Sequence, residues 1–103
     1  MRTVVYSITA RDQLRDLLLQ GISKFGPQVV AEKRDQVFRT VENLLALHPA
    51  TKRIHPAIGL VAYPISATPF VVLYDFDDAE LRVHFVVHRS LDVTGLDPGA
   101  VEW

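Results

Sequence analysis

Two groups of side chains in this sequence have the types and spacing to meet an anion. The first is Lys52, Arg53 and His55, the densest basic cluster in the chain; the second is Arg82, His84, His88 and Arg89. Ammonium, guanidinium and imidazolium groups held at fixed spacing form charge-assisted hydrogen bonds to phosphate or carboxylate oxygens. Period-two alternation sends Leu81, Val83, Phe85 and Val87 to one face of a strand, and Arg82, His84, Val86 and His88 to the other. Arg82, His84 and His88 are thereby expected on one face, with Arg89 directly following. A plainer alternative stands beside each group: a solvated loop for the first, the wet face of an exposed strand for the second.

Other chemistry finds little to build on. The histidines are His48, His55, His84 and His88. Four residues along a strand span about 13 Å, so one metal ion cannot bridge His84 and His88 directly. No HExxH pattern or acidic partner at ligand spacing appears. Asp75, Asp77, Asp78 and Glu80 read as a hairpin turn, where Asp bonds its own backbone. Cysteine, Gly-x-Ser-x-Gly and a glycine-rich phosphate loop are all missing. No metal, cofactor or catalytic residue is expected.

Charge narrows the field further. With 11 basic and 12 acidic residues the net charge is −1. Binding to nucleic acid through phosphates draws on counterion release and usually needs a basic excess. Direct sequence-specific DNA binding by this chain alone is therefore not expected. The short apolar run at the N-terminus, Met1–Tyr6, lacks the features of a signal peptide, and no stretch reaches the ~18 apolar residues of a membrane span. The expectation is a cytoplasmic protein without membrane contact, folded as one domain over residues 1–103. Its hydrophobic content of 49% hints at apolar surface left over for a partner.

The elements that must position these groups are legible from periodicity. Thr3 to Ile8 is β-branched and aromatic, a short opening strand. Thr9-Ala10-Arg11-Asp12 has the pattern of a helix cap, and Leu14, Leu17, Leu18, Ile22 and Phe25 follow at helical spacing. Gly26-Pro27 ends that helix and opens a second, with Val30, Val37, Val41, Leu44 and Leu45 on its apolar face and His48-Pro49 as its stop. Pro49 to Ile58 is expected as a loop. Strands are expected over 59–65, 70–74 and 81–87, the middle one apolar enough to be covered on both faces. Asp97-Pro98 can start a short turn of helix. Trp103 either docks as an anchor or belongs to a partner contact. The fold class is α+β: a short N-terminal strand, a two-helix hairpin and a three-stranded antiparallel meander.

Three segments carry a resemblance: Gly59-Leu60-Val61-Ala62-Tyr63-Pro64-Ile65, Phe70-Val71-Val72-Leu73-Tyr74, and Leu81-Arg82-Val83-His84-Phe85-Val86-Val87-His88-Arg89. Together with the order of elements they resemble the RelE/ParE superfamily, the toxins of bacterial type II toxin–antitoxin modules that include plasmid stabilisation systems. The resemblance implies neutralisation by a cognate antitoxin and one of two targets. One branch cleaves mRNA on the ribosome without a metal, using Lys, Arg and Tyr side chains. The other poisons DNA gyrase through protein contacts. Leu60, Ala62, Val71 and Leu73 stand where an RNA-cleaving relative would place several basic groups, and the C-terminal segment has no tyrosine. The Val-Val-His-Arg strand end is closer to the ParE branch. Arg53, His55, Arg82, His84, His88 and Arg89 are then candidate target contacts. A family member that has lost toxicity and acts as a binding module is the third possibility.

Overall fold

The computed structural model describes residues 1–103. Its elements run β1 (Thr3–Tyr6), α1 (Ile8–Phe25), α2 (Pro27–Arg39), β2 (Ile54–His55), β3 (Leu60–Pro64), β4 (Phe70–Phe76) and β5 (Glu80–His88). Helices and sheet together give the expected α+β class, with a helical hairpin followed by an antiparallel meander.

The hairpin forms where the sequence places it, with different fastenings. Ser7, and not Thr9, caps α1: its hydroxyl accepts from the Ala10 N–H at 2.8 Å and donates to the His84 carbonyl at 2.7 Å. One fully buried hydroxyl thus starts the helix and pins it to β5. Thr9 lies inside the first turn, where its Oγ1 accepts from the Glu102 N–H at 3.1 Å. Gly26 closes α1 with φ +83°, a left-handed conformation that disfavours a side chain, and Pro27 opens α2. The second helix was expected to run to His48 unchanged. It widens at Thr40–Leu45 into a π-helical segment, whose next N–H, of Ala46, donates to Val41 at 3.0 Å. Leu45 is fully buried and Leu44 is left 38% exposed, so the apolar face is narrower than the sequence pattern.

The sheet has the order β1-β5-β4-β3-β2. Its centre is the expected meander β3-β4-β5; β1 lies parallel to β5 and the two-residue β2 completes the other edge, inside what reads as loop. Tyr74 Oη donates to the Pro49 carbonyl at 2.5 Å and ties that connection to the sheet. Burial raises the Tyr74 phenol above its ordinary range. Where β1 ends, the Gln13 side chain takes over the edge of β5, accepting from the Val86 N–H at 2.9 Å.

A bulge breaks the alternation of β5. Leu73 pairs with Phe85 and Tyr74 pairs with Val83, so His84 has no partner residue on β4. Leu81 and Val83 face the helices with Val72, Tyr74, Val37 and Val41; after the bulge it is Val86 that faces them. Phe85 and Val87 turn to the opposite face with Ile58, Leu60 and Leu73. Val93, Leu96 and Val101 of the C-terminal segment cover that second cluster. Two 3₁₀ turns, Val93–Gly95 and Pro98–Ala100, shape the segment, the latter on the expected Asp97 cap. The Glu102 carbonyl accepts from the Ile8 N–H at 2.8 Å, satisfying a free donor at the start of α1. β4 is therefore covered on both faces, by helices on one and by the chain's own tail on the other.

Candidate functional site

The bulge corrects the grouping expected on β5: Arg82 and His84 turn to the tail side, while His88 turns to the helix side. Tight turning at Asp77–Ala79 brings three carboxylates around Arg82. Its Nε donates to Asp75 at 2.8 Å, and its Nη1 donates to Asp77 at 2.9 Å and to Glu80 at 3.2 Å. Asp77 also accepts from the Ala79 and Glu80 N–H groups, both at 2.8 Å, which is the turn role expected of it. The Arg82 guanidinium, with those two backbone donors, lowers the Asp77 carboxyl to about 2. The three carboxylates raise Arg82 above its ordinary range in return.

His84 lies beside this cluster, its side chain only 12% exposed. Its Nε2 is 3.2 Å from Asp75 Oδ1, outside hydrogen-bond geometry, so proximity to a shared carboxylate and not a bond relates the two. The ring meets Trp103 edge to face, with centroids 4.8 Å apart. Trp103 thus docks on the chain itself, one of the two roles open to it in the sequence.

The other candidates are more exposed. His88 is on the surface, with Nδ1 accepting from the Ser90 N–H at 3.1 Å. Arg89 donates to the Thr68 carbonyl through its guanidinium and to the Pro69 carbonyl through its N–H at 2.8 Å, clasping the β3–β4 turn. Lys52 and Arg53 are exposed ahead of β2, and the His55 Nδ1 accepts from the Ala57 N–H at 3.3 Å. Leu60, Ala62, Val71 and Leu73 share the tail-covered face, where they form or pad its apolar cluster.

The sequence reading missed a surface on the hairpin. Between α1 and α2 runs a groove of about 500 Å³ with Tyr6, Leu14, Leu18, Phe38 and Val86 on its floor. Arg11, Arg15 and Arg34 rim it, and no carboxylate lines it. The Arg15 and Arg34 pairs with neighbouring Asp residues are exposed contacts of 3.3 to 3.8 Å. The Tyr6 hydroxyl is buried without a partner, its ring edge-on to Phe38 at 5.7 Å. Burial, and to a smaller degree Glu42, raises that phenol far above its ordinary range. The signal available in the sequence was Leu19, an apolar residue beside the α1 stripe: it lines the groove and stays 58% exposed. An apolar floor with a basic rim suits an amphipathic segment bearing acidic residues.

No family model matches the chain, and no curated protein matches it in sequence. In structure it is similar to a chain of the chromosomal ParDE TA system from P. aeruginosa. The TM-score is 0.73 at 13% identity, covering 85% of this chain and 96% of that one. At that identity the likeness is one of fold.

Proposed function

We propose that this chain, as one domain over residues 1–103, is the toxin of a type II toxin–antitoxin module. In this reading it acts on DNA gyrase by protein contact and is neutralised in the cytoplasm by a cognate antitoxin. The fold it shares with a chain of a ParDE system supports the module. What carries the choice of target is the state of Arg82: its guanidinium is engaged by Asp75, Asp77 and Glu80. An RNA-cleaving sheet must offer free cations to a pentavalent phosphate and move protons beside it. Here the central cation is spent on its own strand turn, and the sheet face beside it is apolar and covered. Arg53, His88 and Arg89, exposed at the margins of the sheet, then serve as target contacts, with Arg82, His84 and His55 holding the local structure. The antitoxin's apolar and acidic segment takes the α1–α2 groove.

Expression without the antitoxin in a bacterium tests this. The expected outcome is growth arrest with a DNA-damage response and gyrase-dependent cleavage of plasmid DNA. Rapid loss of translation with mRNA cut at codon positions would transfer the chain to the ribosome-dependent branch. Normal growth at verified expression would leave a non-toxic binding module. A narrower check is Arg53→Ala, which touches no internal bond: toxicity undiminished by it removes Arg53 from the contact surface.

A further inference from the structure

The sheet has two covers, and they are held in different ways. On one face the helices put Ala10, Leu14, Val37 and Val41 into the core, all of them buried. On the other, no residue from Leu91 to Trp103 is buried. Val93, Leu96 and Val101 cover the second cluster while only partly buried themselves, and beneath them Ile58, Leu60, Leu73, Phe85 and Val87 are shut off from water. Between Asp92 and Val101 every hydrogen bond closes within the segment. Thr94 and Gly99 donate to the Asp92 and Asp97 carboxylates, and Leu96 and Ala100 donate to the Val93 and Asp97 carbonyls. The fastenings to the rest of the chain sit at the two ends. Upstream the Arg89 N–H donates to the Pro69 carbonyl at 2.8 Å. Downstream the Glu102 carbonyl accepts from the Ile8 N–H at 2.8 Å, and its N–H donates to Thr9 Oγ1 at 3.1 Å. We propose that residues 91–103 form a displaceable strap, which opens as one unit about Ser90–Asp92 and, while closed, masks the apolar face of the sheet.

Fastening at the ends makes the opening cooperative. Once Glu102 lets go, no polar contact holds the middle, and the three apolar side chains lift together. Trp103 makes no hydrogen bond and touches the body through the edge of the His84 ring. At the hinge, Ser90, Leu91 and Asp92 are all exposed, and Ser90 and Leu91 bond only back to His88. Release hands the Ile8 N–H to water, which reaches it because Ile8 is exposed. The helix α1 does not unravel with the strap, since the buried Ser7 hydroxyl still accepts from Ala10 and donates to the His84 carbonyl. Opening then uncovers five neighbouring apolar side chains, a patch of the kind that attracts other proteins.

The test follows amide hydrogen exchange in the purified full chain, so its outcome is independent of the toxin reading. The Ile8 and Glu102 amides are expected to be about tenfold or more less protected than the Ser7 amide, which bonds Val83 in the sheet. Leu96→Ala loosens the middle of the strap, away from both reporters. It should lower the protection of Ile8 and Glu102 by one common factor of about ten and leave Ser7 unchanged. Leu96→Asp sets a charge against the apolar face and should hold the strap open. Anilinonaphthalene sulfonate then binds with enhanced fluorescence while the amides of β3, β4 and β5 stay protected. Ile8 and Glu102 as well protected as Ser7, or indifferent to Leu96→Ala, would overturn the proposal. So would a folded Leu96→Asp chain that binds no dye, or one in which the sheet amides lose protection together with the strap.

Discussion

Arg82 on β5 and Arg34 on α2 carry the same guanidinium, and the protein uses them in opposite ways. Arg82 is 26% exposed and has three carboxylates within 3.2 Å. Arg34 is half exposed, with one weakly placed neighbour, on the rim of an apolar groove that no carboxylate lines. A cation matched on all sides fixes the geometry of its own strand turn and has little attraction left to offer. A cation beside uncovered apolar surface stabilises little in the free chain and is available to a partner. Positive residues found by sequence spacing therefore belong to two classes, and only the surroundings tell them apart.

Breaking the matched side has the larger effect on stability. Arg82→Leu leaves Asp75, Asp77 and Glu80 facing one another without a cation. The three acids are 42% to 55% exposed, so screening limits the loss to about 1–2 kcal/mol. A thermal melt at neutral pH checks this, with an expected fall of roughly 4–8 °C per kcal/mol for a domain this size.

Acid titration sharpens the same point. Asp77 is lowered from 3.8 to about 2, so it binds its proton less readily in the folded chain than in the unfolded one. Its contribution is fully present above 3.8 and is lost as the pH falls through about 2. Asp77→Asn keeps an oxygen for the Ala79 and Glu80 N–H groups but loses the charge. Its stability is expected to fall less steeply than the parent's over that window, measured by denaturant melts at a series of pH values. Parallel curves would mean that Asp77 and Arg82 do not interact in solution.

How much of this was legible in the sequence follows from which signals are local. The hairpin, the meander strands and the acidic turn were, because helical and period-two patterns and Gly26-Pro27 act over a few residues. The bulge at His84 was not. Both faces of β5 are covered, so Phe85, Val86 and Val87 are apolar in sequence, and a slip of one residue exposes nothing that the pattern could register. The parallel pairing of β1 with β5 joins Thr3 to Glu80 across most of the chain, beyond the reach of local periodicity. Thr9-x-x-Asp12 matched a capping pattern that Ser7 fulfils without an acid, because its second bond goes to distant His84. Of the candidate site, the sequence named the residues without their company: no spacing rule places Asp75, Asp77 and Glu80 around Arg82 and none around Arg11.

Between these extremes lies Trp103. Its edge-on contact with His84 is half exposed, and Trp103→Ala is expected to cost about 0.5–1 kcal/mol. His84 would become open to solvent, which a rise in its reactivity toward an imidazole-modifying reagent checks. A stable variant with unchanged reactivity would mean that the tail does not shield the ring in solution.

The unmatched side gives the smallest change in stability and the most informative one. Arg11→Glu/Arg34→Glu reverses the groove rim without removing a buried group, since both residues are exposed. The free chain should keep its stability within about 0.5 kcal/mol, because surface substitutions away from caps and cores rarely do more. If the chain is a toxin whose antitoxin lays an acidic amphipathic segment in the groove, the same variant loses affinity for that partner, mostly through slower association at low salt, and remains toxic in its presence. Raising the ionic strength should narrow the gap between parent and variant, as screening removes the attraction that the variant has already lost. A variant that is destabilised as much as Arg82→Leu would place Arg11 or Arg34 among the matched cations and dissolve the distinction. A stable variant that is neutralised as well as the parent at all salt concentrations would keep the distinction but move the antitoxin away from the groove.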